Sequence, residues 1–234
     1  MAATLKEKTP KLAPASTPRT PAPAAPKAEV SGPLEWFNAN KRLASIVGGA
    51  VAVILLGAWF LTTASKRKEE FANRALNQAR NIAESGNFPL ASGEFQKIID
   101  GYHGSDAAKE AEIALNQLRL INGQSELVVV RLRGFLTTNP GASFATAANA
   151  LLGAALENSK RPAEAAAAYQ AAADAASLDY LKAQYLLEAG RAYTEAGRPD
   201  EAAASYRKIM TDYSKTTLVT EAEVRLAELT KGKM

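Results

Sequence analysis

Apolar and small residues follow a helical period along the C-terminal two-thirds of the chain, and one phrase of them recurs every 37 residues. Gly190, Tyr193, Gly197, Ala202 and Tyr206 stand in the same relative places as Gly153, Leu156, Lys160, Ala165 and Tyr169. Two further periods toward the N-terminus give Asn116, Arg119, Gly123, Val128 and Leu132, then Ala79, Ile82, Gly86, Ala91 and Phe95. From Lys66 onward the text is rich in Ala, Leu and Glu, with a 3.6-residue period and no sustained alternation, which predicts an all-α domain over residues 66–234. Each unit reads as a helix, a turn at Gly86, Gly123, Lys160 or Gly197, and a second helix whose first turn holds Pro89, Pro162 or Pro199. Lys160 replaces glycine at the third turn, with Asn158 nearby as a substitute for the left-handed position.

Packing explains the small residues. Ala91, Ala165 and Ala202 allow paired helices to approach, and Phe95, Tyr169 and Tyr206 one turn later fill the wedge between units. The second copy diverges most, with Asn116, Arg119 and Leu132, and a one-residue shift there would turn Leu115 and Leu118 inward. Each copy is too small to bury its own apolar face until the next stacks on it, so function is expected in a surface and not in a pocket.

Upstream the pattern changes twice. Residues 43–64 form a 22-residue run without a charge, long enough at about 1.5 Å per residue to cross a hydrocarbon core of about 30 Å. Lys41 and Arg42 precede it, Lys66, Arg67 and Lys68 follow it, and Trp36, Phe37, Trp59 and Phe60 stand where interfacial aromatics are expected. The reading is one transmembrane helix within residues 39–65. A buried core helix and a cleaved signal peptide are the alternatives; the run is longer than a signal peptide's apolar region, and Thr62 and Ala64 before Ser65 mimic a cleavage site. Residues 1–38 carry seven of the eleven prolines, with Ala, Lys, Ser and Thr, and predict a disordered tail.

The net charge of +4 resides entirely in residues 1–42, which hold seven Lys or Arg against three Glu; the remaining residues hold 21 of each sign. That balance excludes a basic nucleic-acid surface for the helical domain, and the flanking Lys and Arg fit attraction to anionic lipid headgroups. The chain has no cysteine, which removes thiol catalysis, cysteine-bound metal and a cysteine-linked lipid anchor. The one histidine, His103, lies in a turn, and one histidine cannot form a histidine-based metal cluster. Neither common phosphate-binding glycine spacing occurs, and carboxylate neighbours such as Glu69-Glu70 and Asp200-Glu201 fit helix starts or exposed faces. No enzyme, catalytic residue, cofactor or metal is expected. In the apolar run, Ala44, Gly48 and Ala52 lie four apart on one face, a spacing that permits close approach of another helix.

The sequence from Gly190 to Tyr206 resembles the tetratricopeptide repeat, A/G-x-x-Y-x-x-x-G-x-x-x-x-A-x-x-x-Y, and Asn139-Pro140 falls where that family often ends a unit. The period departs from it, at 37 residues against about 34, and no unit has the family's early Trp. The resemblance implies a right-handed helical-repeat solenoid of four helix pairs, closed by a lone helix over residues 218–230. It also implies a concave face of first helices presenting Asn73, Leu76 and Arg80, then Glu110, Ile113 and Gln117, then Ala147, Ala150, Ala154 and Glu157, then Gln184, Leu187, Arg191 and Glu195. Of these, Asn73, Arg80, Gln117, Glu157, Gln184, Arg191 and Glu195 are the candidate protein-binding residues. The face lacks the repeated Lys and Asn of the carboxylate-clamp subset.

The whole layout of tail, span, basic juxtamembrane start and degenerate repeats resembles the bacterial YfgM-type family, ancillary to the Sec translocon. That resemblance implies a non-enzymatic inner-membrane protein with a cytoplasmic N-terminus and periplasmic repeats, meeting translocon subunits, membrane-anchored chaperones or exported clients, with membrane lipid contacted through one span. A tetratricopeptide adaptor for cell-envelope assembly or division is the alternative. The charge count opposes the orientation, since Lys66, Arg67, Lys68, Arg74 and Arg80 outnumber Lys27, Lys41 and Arg42. If the register is right, Tyr206→Ala lowers stability by about 3 to 5 kcal/mol. Tyr102→Ala, outside the repeated phrase, costs less, and equal melting of the two variants would contradict the register.

Overall fold

The computed structural model describes residues 40–231, apart from the side chain of Ala44. The expectations for the tail 1–38, Trp36 and Phe37 lie outside the described residues. Within them the chain is helical throughout: α1 (Lys41–Glu84), α2 (Phe88–Gly101), α3 (Asp106–Ile121), α4 (Ser125–Thr137), α5 (Ala142–Asn158), α6 (Pro162–Ala175), α7 (Asp179–Glu195), α8 (Pro199–Asp212) and α9 (Val219–Thr230). The chain divides into two compact units at Leu56 and Gly57.

The sequence divides the chain at residue 65, and α1 runs through that position. The apolar run and the first helix of the repeat domain are one continuous helix of 44 residues, because nothing between Thr62 and Glu70 breaks it: the stretch contains neither Gly nor Pro. α1 is the one helix among the described residues that is long and apolar enough to cross a membrane. Its large side chains from Leu43 to Leu61 are exposed, Trp59 and Phe60 each at 67%.

The turns follow the 37-residue register. Gly86, Gly123, Lys160 and Gly197 all have left-handed backbones, with φ of 84, 74, 59 and 70°. After each, the next N–H bonds the carbonyl five residues back: Asn87 to Ile82, Gln124 to Arg119, Arg161 to Leu156 and Arg198 to Tyr193, at 2.9 to 3.2 Å. This satisfies helix-end carbonyls and reverses the chain in the same way four times. Lys160 itself takes the left-handed conformation, and Asn158 remains the last residue of α5. Pro162 and Pro199 open α6 and α8, and Pro89 lies in the first turn of α2, where no intrahelical N–H is needed.

Each second helix lays a large side chain on its first helix. A methyl group added at Gly153 would stand 2.6 Å from the Tyr169 ring, and one at Gly190 would collide with the Tyr206 ring. Ala91, Ala165 and Ala202 are fully buried, as the close approach requires. In the second unit Asn116 and Leu132 occupy these places, both fully buried. The Asn116 amide bonds the Glu112 carbonyl at 2.8 Å and its Oε1 at 3.1 Å, and Arg119 donates to Asn116 Oδ1 at 3.2 Å. Leu115 and Leu118 face inward as expected, and Asn116 is buried with them, so their burial needs no shift of register. This polar row coincides with a division of the apolar interior into one cluster across α1, α2 and α3 and another across α4 to α9.

Two glycines therefore behave oppositely. Gly153→Ala forces a methyl against a buried ring and lowers stability by about 1 to 3 kcal/mol. Gly93→Ala in α2 meets nothing within 4 Å and raises it by about 0.5 to 1 kcal/mol. Thermal unfolding of the two variants should move in opposite directions; shifts of the same sign would contradict the packing of Tyr169 on Gly153.

Candidate protein-binding surface

First helices bring the sequence-predicted residues to two clefts that are equivalent by the repeat. One, of about 310 Å³, is lined by Arg80, Ala83, Glu84, Phe95, Glu110, Ile113, Ala114, Gln117 and Leu118. The other, of about 480 Å³, is lined by Arg191, Thr194, Glu195, Tyr206, Arg225, Glu228 and Leu229. Three periods of 37 residues carry Arg80 onto Arg191, Glu84 onto Glu195, Phe95 onto Tyr206, Gln117 onto Glu228 and Leu118 onto Leu229. α9 thus stands where the first helix of a further unit stands, and its buried Ala222 and Leu226 match Ala111 and Leu115 of α3.

Between α5 and α7 side chains bridge at the equivalent place. Tyr169 donates its hydroxyl to Glu157 Oε2 at 2.8 Å, Arg191 donates to both Glu157 oxygens at 3.0 and 3.2 Å, and Arg191 Nε donates to Glu188 Oε2 at 2.9 Å. Burial pushes the Tyr169 hydroxyl well above the ordinary tyrosine value, and the Glu157 carboxylate adds to the shift, so the phenol stays a donor. Arg80 likewise pairs with Glu110. Both candidate arginines pair with this chain's own carboxylates while their side chains stay 40% and 54% exposed on the first helices.

The other predicted residues separate. Gln117 and Glu195 are exposed, each at its cleft, and Gln184 is half-buried on α7. Asn73 is exposed on α1 and donates to Glu69 Oε1 at 3.3 Å. Leu76, expected on the concave face, is instead 1% exposed and belongs to the first apolar cluster. Its place one turn before Ala79, on the same face of α1, puts it under α2 and α3.

Sequence reasoning missed Arg225 and Glu228. The signal was available, because Ala222, Leu226 and Leu229 repeat Ala111, Leu115 and Leu118 three periods on. Glu69, read from the sequence as fitting a helix start or an exposed face, lies at the start of a neighbouring helix: its carboxylate accepts from the Asp106 and Ala107 N–H groups at 3.1 and 2.9 Å. That contact places a negative charge on the positive end of α3. Among the described residues no group of three or more His, Asp or Glu side chains is arranged to hold a metal ion.

The second helices are joined by charge as well. Glu164 of α6 accepts from Arg161 at 2.8 Å and from Arg133 of α4 at 2.6 Å, and these two hydrogen bonds lower its pKa from 4.5 to about 2. No protein-family model matches the chain, and no curated protein matches it.

A depressed folded pKa adds stability that is complete above the unfolded value and is lost as pH falls through the folded one. The Glu164 contribution therefore persists above about pH 4.5 and disappears toward pH 2, and it is small because the carboxylate is half exposed. The melting temperature of the unsubstituted protein should fall more steeply than that of Glu164→Gln across this window. Parallel curves would remove the bridge as a stabilising link between α4 and α6.

Proposed function

We propose that this protein is a membrane-anchored, non-enzymatic scaffold that binds other proteins through the first-helix face of a tetratricopeptide-like solenoid. The four helix pairs α1–α2, α3–α4, α5–α6 and α7–α8 form a right-handed stack closed by α9, and the apolar part of α1 is the anchor. The observation that carries the reading is the pair of equivalent clefts, each with an Arg and a Glu one helical turn apart beside a ring from the second helix. A surface that offers the same arrangement twice suits an extended protein partner, engaged at more than one unit, better than a single small substrate. The continuous uncharged run, its exposed aromatic residues and its basic flanks support the anchor.

Within that class, the resemblance in layout favours an ancillary component of protein export with the repeats on the periplasmic side of a bacterial inner membrane. There the clefts meet translocon subunits, membrane-anchored chaperones or exported clients. Contact with nucleic acid has no support from the charge balance of the helical domain.

A reporter active only in the periplasm, fused after Met234, should be on. Photo-crosslinkers at Gln117 and Glu195 should capture proteins purified in mild detergent, and one at exposed Ala167 on α6 should capture far less. Recovery of translocon subunits supports the export role, whereas recovery of envelope-assembly proteins replaces it with the adaptor role. A reporter active only in the cytoplasm sinks both, and equal capture from Ala167 sinks the first-helix surface.

A further inference from the structure

The connection between α2 and α3 is fastened to the part of α1 that directly follows its apolar run. Lys68 Nζ donates to the His103 carbonyl oxygen at 2.7 Å, and the Glu69 carboxylate accepts from the first two N–H groups of α3. Ser105 closes the turn, accepting from the Ala108 N–H at 3.1 Å and donating to the Tyr102 carbonyl at 2.7 Å. These bonds fix the height of the turn along α1. Glu69 lies five residues past Ala64, the end of the apolar run, which is about 7 Å along a helix axis. A bilayer has about 5 to 8 Å of headgroup layer on each side of its hydrocarbon core.

We propose that the turn from Tyr102 to Ser105 lies in the headgroup layer and, with Lys66, Arg67 and Lys68, forms a surface that gathers anionic lipid headgroups. The proposal rests on the reading of α1 as a membrane span. Lys66, Arg67, Lys68 and His103 are all exposed, while the nearest carboxylates are partly engaged elsewhere. Glu69 is turned to the α3 amides, and Asp106 pairs with Lys109 at 2.8 Å, which leaves Glu70 against three cationic side chains. Charge complementarity therefore selects an anionic headgroup over a zwitterionic one. The repeat domain then meets the membrane at two places, the anchoring helix and the α2–α3 turn.

The absence of cysteine makes the test direct, since a single introduced thiol carries a single fluorophore. The full chain is labelled in turn at Ser65→Cys, His103→Cys and Ser177→Cys, Ser177 being the residue two periods beyond His103. Each is placed in discs of phosphatidylcholine with a minor share of phosphatidylglycerol, where one lipid or the other carries a nitroxide quencher near its headgroup. Labels at 65 and 103 should be quenched and the label at 177 should not. At 103 the phosphatidylglycerol quencher should outperform the phosphatidylcholine quencher by about fivefold for one engaged basic residue, and Lys66→Gln with Arg67→Gln should reduce that ratio. A silent label at 65 overturns the membrane span itself and this inference with it. Quenching at 65 with silence at 103 overturns the inference alone, and equal quenching at 103 by both lipids overturns its anionic selectivity.

Discussion

The contact between a large second-helix side chain and a small first-helix residue sets how near two paired helices stand, and the rest of the helical domain depends on that spacing. Where the pair is Tyr169 on Gly153 or Tyr206 on Gly190, the ring occupies the volume that any Cβ would need. Both rings are buried, and close packing of this kind yields both the transfer energy of a large apolar group and many dispersion contacts. Where the pair is Asn116 and Leu132, the small residue is replaced by a polar one that must find its own hydrogen bonds, and it finds them in Glu112 and Arg119. The apolar interior divides at that unit. A buried amide is tolerated only when its donors are satisfied, so the divergence of this copy and its polar row are one fact.

The same spacing decides what the surface offers. Ring, Arg and Glu recur at the two clefts because the register returns them, but their surroundings differ along the chain. Between α5 and α7 the carboxylate of Glu157 accepts from both Tyr169 and Arg191. The arginines that look like anchors for a partner thus serve first as links between successive first helices, while Arg133 of α4 pairs with Glu164 of α6 and Arg161, at the start of α6, pairs with Glu126 of α4. Half-exposed pairs of this type add little stability singly, but they fix the relative placement of units whose apolar contacts are non-directional. The exposed Gln117 and Glu195 lie at the two equivalent clefts, beside these paired charges.

α1 joins two roles in one element. Its run over residues 43–64 is uncharged with its large apolar side chains exposed, and its last part carries Ala72, Leu76 and Ala79 in the first apolar cluster. Between them Lys68 and Glu69 hold the α2–α3 connection, so a stretch that reads as a simple basic flank also caps the start of α3. An N-terminal N–H group needs an acceptor from somewhere, and here a neighbouring helix provides it in addition to the Ser105 hydroxyl.

The repeat, the helices, the turns and most of the interior were determined by the sequence itself, because each depends on local chemistry or a regular period. Left-handed turn positions at Gly86, Gly123 and Gly197, prolines in first helical turns and burial of Phe95, Tyr169 and Tyr206 are all of this kind. Tertiary structure decided what local rules cannot reach. Lys160 was free to yield its left-handed place to Asn158, and Leu76 to face a groove; the closeness of α2 and α3 put Leu76 inside. The pairing of Arg191 with Glu157 and of Glu69 with α3 depends on the offset between neighbouring helices, a distance set by the rings packed between them and not by the spacing of residues along the chain.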